Sequence, residues 1–463
     1  MPIHPEQDPP LEAFGPIVPL DALPDDQIEG PLPWDTPARP LTDFATQASP
    51  LLFGGGVFGQ GMYNEDRVLY SDEAVRALRL AFRYGINALD SSPYYFPSEF
   101  VLGRALRILA PEYPRSSYFL ITKCGRYGPD KYMFDYTPER ISSSIHQSLA
   151  RLGTDYLDVA LLHDIEFVSE QPVEAQTAPD AGWLEACAVQ KSAHLSQEEA
   201  LRRLGVLPQD AGRIRGPGDE AVLEAARALF RLQDQGKVKH VGISGYPLGE
   251  LLRIARLIAS HPPYRCLDVV LSYSHHTLHS DVLPAWQALF EQPVSETWRA
   301  PWILNASPFS MGLFSDRGPP AWHPAGADLQ EATKAAWQTV KADAALPGSC
   351  IDPQVVMGCT ALFRGIHGAH TRTPAGIPHL RTLIGMSNVD EVHAAIRVYR
   401  ILCEPHSAIH QQLVRYERIV RSYIVEANAA DLRLRGARSV SVVACDLADP
   451  STFEPVYAWT TGD

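Results

Sequence analysis

Four residues in the first part of the chain suit proton transfer: Asp90, Tyr95, Lys123 and His163. Asp90 ends the apolar run Ile86-Asn87-Ala88-Leu89, and Tyr95 lies five residues further on in "ALDSSPYYFPSE". Lys123 closes "FLITK", so its ammonium stands behind four largely apolar residues and needs a counter-charge, for which Asp90 is the obvious acid. A phenol ordinarily titrates at about pH 10. An ammonium near its oxygen favours the phenolate and lowers that value. Tyr95 can then exchange a proton with an alcohol or a carbonyl near neutral pH. His163 can hydrogen-bond the same oxygen and fix its orientation. Such a set suits proton transfer coupled to hydride transfer, for which a nicotinamide is a carrier. Each residue also has a plain structural use. Asp90 can cap a turn with Ser91 and Ser92, Lys123 can reach the surface, and His163 can be a satisfied core histidine.

These residues meet only if the intervening chain places them at one rim. From about residue 50, short apolar runs alternate with amphipathic ones. The strand candidates are Leu51–Gly55, Ala88–Asp90, Tyr118–Lys123, Tyr156–His163, His240–Ser244, Asp268–Tyr273, Trp302–Ala306 and Leu380–Gly385. Helix candidates lie at 71–85, 98–109, 138–152, 219–235, 247–259, 280–291, 328–344 and 388–403. Start signals stand at Ser71 or Asp72, Thr137-Pro138 and Asn388, and stop signals at Gly85, Gly153 and Gly236. Runs such as "YLDVALLH" are apolar throughout, as parallel strands covered on both faces are. Eight strand–helix units predict an α/β chain folded as a (β/α)8 TIM barrel. The rival is an open doubly wound sheet. Barrel strands share one rim at their C-terminal ends, which is where Asp90, Lys123 and His163 fall.

Bulk properties narrow the partners. A net charge of -14 argues against nucleic acid or an anionic membrane surface. Seven cysteines, scattered and without a C-x-x-C pair, fit reduced thiols and a cytoplasmic setting better than a disulfide framework or a metal site. No apolar run of about 18 residues predicts a membrane span. Eleven prolines in the first forty residues read as an extended, partly ordered arm over residues 1–45. The alternative is an arm that docks on the body through Phe14 and Trp34. Insertions at about 169–217 and 364–379 interrupt the rhythm. The first falls on the expected active face, as a lid or as a surface elaboration with a short helix at 196–204. The second holds His367 and His370, without an acid or thiol to complete a metal site. A further amphipathic helix spans 407–425, and residues 426–463 form a tail.

The motifs resemble the aldo-keto reductase family: Asp90-x-x-x-x-Tyr95 followed by Ser98-Glu99 and Gly103, "ITK" at Lys123, "DYLDVALLH" at His163, "GKVKHVGISGY", "NASPFSMGL" and "TLIGMSNVDEV". The resemblance covers about residues 50–400 in the right order. It implies a catalytic tetrad of Asp90, Tyr95, Lys123 and His163. It implies cofactor contacts at Ser244, Ser272, Ser307, Phe309 and Gly312, and from Gly385 through Met386 and Ser387 to Asn388. The chain departs from the family pattern at three places. Ser244-Gly245 replaces the usual Ser-Asn, Ser272 the usual glutamine, and Ala306 the tyrosine that often stacks on the nicotinamide. These changes and "LLHDIEF" are similar to the branch of D-arabinose and L-galactose 1-dehydrogenases. That branch implies oxidation of an aldose at C1 to a lactone, with D-arabinose, L-galactose or L-fucose as substrate and Phe58, Tyr94 and Phe96 as a sugar platform. Glu391, where NADPH-preferring members usually have a basic residue, implies NAD over NADP. Two other functions stay open: an NADPH-dependent carbonyl reductase, and a cofactor-binding regulatory subunit whose protein partners are unknown.

Overall fold

The eight apolar runs pair in parallel, each with its neighbour in the chain, and the last returns to the first, so the sheet closes into a barrel. The computed structural model describes residues 8–172, 181–189, 195–369 and 380–434. The strands are β1 (Leu51–Gly54), β2 (Ala88–Asp90), β3 (Phe119–Cys124), β4 (Leu157–Leu162), β5 (Val238–Gly245), β6 (Val269–Tyr273), β7 (Trp302–Ala306) and β8 (Arg381–Gly385). Side chains alternate across a strand. Leu52, Ile121, Val159, Leu161, Leu271, Leu304 and Leu383 therefore fill the barrel. Leu51, Phe53, Leu120, Ala160, Leu162 and Val270 face the helices. Both faces are dry, which is why the runs lack polar alternation.

The covering helices are α1 (Glu73–Arg83), α2 (Ser98–Leu109), α3 (Pro138–Leu152), α4 (Pro217–Asp234), α5 (Leu248–Ala259), α6 (Leu283–Glu291), α7 (Val356–Gly365) and α8 (Val389–Leu402). The seventh differs from expectation. The helix predicted at 328–344 forms as Ala327–Ala344, but it packs chiefly along an outer helix, Ala408–Leu434. The place beside α8 goes to α7. Its start is capped from a distant loop, because the Asp316 carboxylate accepts the N–H groups of Met357 and Gly358, both at 3.1 Å. No local cap marks it in the sequence. The glycines Gly54, Gly56 and Gly59 after β1 do have G-x-G-x-x-G spacing. Here they lead into a 3-10 turn, Gly55–Phe58, and not into the helix start that a dinucleotide fingerprint requires.

The proline-rich arm docks, as the alternative reading had it. Phe14 is buried against Phe100, ring centroids 4.7 Å apart, and Trp34 packs edge-on against Tyr399 at 4.9 Å. Arg76 of α1 holds Asp26 through two hydrogen bonds of 2.8 and 2.9 Å. The helical turn Phe44–Gln47, capped by Asp43, then plugs the N-terminal end of the barrel. Phe44 is fully buried, with the rings of Phe119 at 5.3 Å and Trp302 at 5.7 Å.

The described helices of the first insertion, Ala181–Cys187 and Gln197–Leu204, elaborate the flank beside α5 and α6. The rest of that insertion, 173–180 and 190–194, lies outside the described residues, as do His370, most of the second insertion and the tail from 435. Among the described residues no cluster of three or more His, Cys, Asp or Glu could hold a metal ion, and no helix is long and apolar enough to cross a membrane.

Phe44→Ala empties the plug. The expected cost is about 3–5 kcal/mol, the range for truncating a buried phenylalanine. Urea unfolding measures it, and an unchanged midpoint would show that the plug is not part of the core.

Candidate active site

Asp90 is the last residue of β2, and Lys123 sits one residue before the end of β3. Lys123 Nζ donates to both carboxylate oxygens of Asp90, at 2.8 and 2.6 Å, and to the Ser91 carbonyl at 3.1 Å. All three ammonium donors are therefore used. Both side chains are sealed from solvent, Lys123 at 1% and Asp90 at 3% exposure. Burial pushes the Asp90 carboxyl above its ordinary range, and the Lys123 ammonium works against that shift. Gly55 must be glycine for the chain to pass, since a Cβ there would stand 2.7 Å from the Asp90 carbonyl oxygen.

Tyr95 ends the short turn Pro93–Tyr95, which the Ser92 hydroxyl caps by accepting the Tyr94 N–H. Its ring centroid lies 4.9 Å from Lys123 Nζ, and its ring meets His163 edge-on at 5.6 Å. The phenol does not titrate as anticipated. Burial, followed by the charges of Asp90 and Asp164, pushes it well above its ordinary value. The physical reason is that the phenolate loses its solvation on burial, while the nearby ammonium is already engaged by both oxygens of Asp90.

His163 follows β4. Its Nδ1 pairs with the Ser92 hydroxyl at 3.0 Å, and its carbonyl accepts the Tyr136 hydroxyl at 2.7 Å. Burial, reinforced by Lys123 and Arg126, keeps the imidazole neutral well below the usual histidine range. Tyr94 stands at the same rim, 5.7 Å from both the Tyr95 and the His163 rings. Two other platform candidates are turned elsewhere. Phe58 is fully buried and stacks on Phe53 at 6.1 Å, in the layer beneath the helices. Phe96 packs against Phe14 of the arm and Phe100 of α2.

The residues expected to hold a cofactor occupy the other half of the rim, at the ends of β5 to β8. The Ser244 hydroxyl reaches the Leu162 carbonyl at 3.3 Å, and the Ser272 hydroxyl pairs with His275 Nδ1 at 2.9 Å. After β7 the backbone turns sharply, with positive φ at Ser307, Ser310, Met311 and Gly312. The Ser307 hydroxyl accepts the Met311 N–H, and Phe309 is half-buried. Gly385 ends β8 against Val57, which a Cβ would strike at 2.3 Å. Met386 is buried, and Asn388 caps α8 by accepting the Glu391 N–H at 3.0 Å. Glu391 is less free than the sequence implied. Its Oε2 accepts the N–H and O–H of Ser387 at 2.6 and 2.9 Å, a reciprocal cap. Its other oxygen lies 3.8 Å from the exposed Arg317. Serine hydroxyls, a tight backbone and one carboxylate fit a nicotinamide dinucleotide. Ser244, Ser272, Ser387 and Glu391 would hold it.

The sequence reasoning missed several residues on this rim. Arg126, after β3, pairs with Asp164 and lies 3.9 Å from the Tyr94 ring centroid. Glu166 explains the glycine at 245. Its Oε2 would stand 2.3 Å from a Cβ there, while its Oε1 accepts the Tyr246 N–H at 2.8 Å. Burial, then the Asp164 charge, pushes the Glu166 carboxyl well above the usual carboxylate range, and its Oε2 has no hydrogen-bond partner among the described residues. "LLHDIEF" contained both acids, but only their burial distinguishes them from surface acids.

Removing one partner of a sealed pair leaves the other uncompensated, so Lys123→Met is expected to cost about 3–5 kcal/mol. Replacing both, Lys123→Met with Asp90→Leu, is expected to recover most of that stability. Urea unfolding of the three proteins measures it, and an equal loss in the double variant would mean that the pair itself stabilises the fold.

Residues 50–341 match the Aldo/keto reductase family. L-galactose dehydrogenase of Arabidopsis thaliana is 34% identical over 295 residues, covering 62% of this chain and 68% of that protein. D-arabinose 1-dehydrogenase of Saccharomyces cerevisiae is 31% identical over 284 residues, covering 61% and 68%. Among solved structures, the holo form of an aldo-keto reductase from Bacillus halodurans aligns with a TM-score of 0.45 at 17% identity, over 80% of this chain and 92% of that one. With the match running over most of the barrel, this chain belongs to the aldo/keto reductase family and is an oxidoreductase of CH–OH groups, in a family that works with nicotinamide cofactors.

Proposed function

We propose that the protein is an NAD-dependent aldose 1-dehydrogenase that oxidises the anomeric carbon of a D-arabinose, L-galactose or L-fucose type sugar to the lactone. The observation that carries this reading is the meeting of Tyr95, the sealed Lys123–Asp90 pair and a neutral His163 at one rim, in a chain whose curated relatives include an L-galactose and a D-arabinose dehydrogenase.

Tyr95 takes the proton of the anomeric hydroxyl. Neutral His163, its Nδ1 held by Ser92, directs Nε2 to the same oxygen and sets its orientation. Asp90 holds the Lys123 ammonium in place beneath the tyrosine ring. The oxidised nicotinamide supplies a hydride acceptor and a positive charge that favours the phenolate. A second reading, reduction of an aldehyde or ketone, draws on the high titration of the Tyr95 phenol, since a neutral phenol is the acid that such a reaction needs.

NAD preference rests on Glu391, whose carboxylate would repel a 2′-phosphate. Glu391→Gln keeps an acceptor for the Ser387 cap and removes the charge. The ratio of kcat/KM with NAD to that with NADP is expected to fall about tenfold, or ~1.4 kcal/mol. A wild-type preference for NADP in initial-rate assays would overturn the assignment.

Three further outcomes test the chemistry. Tyr95→Phe is expected to lose about 10²- to 10⁴-fold in kcat, the usual share of a general acid or base, while Tyr94→Phe stays within a few-fold. Because the Tyr95 phenol titrates high, the oxidation rate is expected to rise with pH through the neutral range, as the phenolate fraction grows. No inflection is expected near pH 6.5 from His163, which is already neutral there. An aldose panel in which Tyr95→Phe keeps most of its rate would sink the mechanism.

A further inference from the structure

Arg126 and Asp164 form an ion pair on the rim that the proton-transfer set does not use. Asp164 directly follows His163, and its Oδ2 lies 3.5 Å from His163 Nε2. Its side chain is 4% exposed, and that of Arg126 is 16% exposed. Aromatic rings surround the guanidinium: Tyr94 at 3.9 Å, Phe134 at 5.3 Å and Phe167 at 5.7 Å from its carbon. Phe134 and Phe167 also touch each other, centroids 5.2 Å apart, and Phe167 is exposed. Asp164 has φ +55°, a left-handed conformation uncommon for a residue other than glycine. Such backbone conformations cluster at functional sites.

A pair in this position is a poor stability device. It gives up solvation on both sides, and apolar residues would fill the volume at least as well. It is well suited to recognising a ligand. The carboxylate accepts from hydroxyl groups, and the guanidinium donates in a fixed fork. Arg126 Nε is used by the Gly128 carbonyl at 3.2 Å and one terminal nitrogen by Asp164, while no hydrogen bond among the described residues takes up the other terminal nitrogen. Aromatic walls with a few fixed polar groups are the usual lining of a small-molecule site.

We infer that the Arg126–Asp164 pair, walled by Tyr94, Phe134 and Phe167, reads the ring hydroxyl groups of a polyhydroxylated substrate and sets the preference among sugars. This rests on the aldose reading above. Binding a hydroxyl at this pair places the sugar next to His163, with its reacting carbon toward Tyr95.

The test compares kcat/KM for an aldose and for its 2-, 3- and 4-deoxy analogues, in wild type, Arg126→Gln and Asp164→Asn. All substrates react at the same carbon, and each analogue is compared between wild type and variant, so its intrinsic reactivity cancels. In wild type at least one deoxy analogue is expected to fall about tenfold or more. In either variant the parent sugar falls to a similar degree, and the deoxy penalty shrinks below about threefold, the signature of a removed pairwise contact. Arg126→Lys keeps the charge and loses the fork, and it serves where Arg126→Gln does not fold, as judged by thermal melting. Full-sized deoxy penalties in the variants would overturn the inference, because the hydroxyls would be read elsewhere. An equal fall for parent and deoxy sugars, with the penalty intact, would assign the pair to positioning His163 instead. A wild-type enzyme that oxidises no aldose while still reducing simple carbonyl compounds would overturn the aldose reading itself, and this inference with it.

Discussion

A buried ammonium held by both oxygens of a buried carboxylate governs the rim of this barrel. Lys123 and Asp90 come from adjacent strands, with Asp90 level with Ile121 and Lys123 two residues further along β3, and the contacts at 2.6 and 2.8 Å form across that stagger. Once formed, the pair fixes the electrostatics around it. Burial decides the titration of the Tyr95 phenol, and the Asp90 charge adds to it. The ammonium still helps keep His163 neutral, because a second positive charge nearby is unfavourable. An ion pair that costs solvation is therefore tolerated for what it imposes on its neighbours.

The rim divides by strand. The ends of β2 to β4 bear the proton-handling residues, and the ends of β5 to β8 bear hydroxyls, glycines and a helix start suited to a dinucleotide. The opposite end is closed by the Phe44 plug, which the docked arm delivers. The aromatic residues around Arg126 belong to loops, Tyr94 after β2, Phe134 after β3 and Phe167 after β4, and Tyr273 ends β6 at the same rim.

Much of this fold was legible in the chain because parallel strands buried on both faces leave a strong mark. Runs such as "LDVALL" cannot be mistaken for half-exposed strands, and the helix bounds at 138–152 fell where Thr137-Pro138 and Gly153 stood. The seventh barrel helix escaped because its cap, Asp316, comes from a loop and not from the adjacent residues. The arm was ambiguous because prolines suppress periodicity whether or not the chain docks. Asp90, Lys123 and His163 could be placed together from the chain because each stands at or next to a strand end, with Tyr95 one short turn beyond β2. Phe58 and Phe96 were misplaced because the direction of a side chain in a turn depends on what it can pack against, here Phe53 and Phe14. Arg126 was missed because its meaning comes from Asp164, which another strand brings to it.

Gly245 and Glu166 have a consequence for how such a rim can change over generations. The carboxyl of one occupies the volume that a side chain at the other would need. Neither position is free to vary alone. Any larger residue at 245 is barred until Glu166 is shortened or swung away, and shortening Glu166 first leaves the Tyr246 N–H without its acceptor. The order of steps is thus constrained, and a lineage that has adopted this pairing is held in it by epistasis between a strand end and a loop.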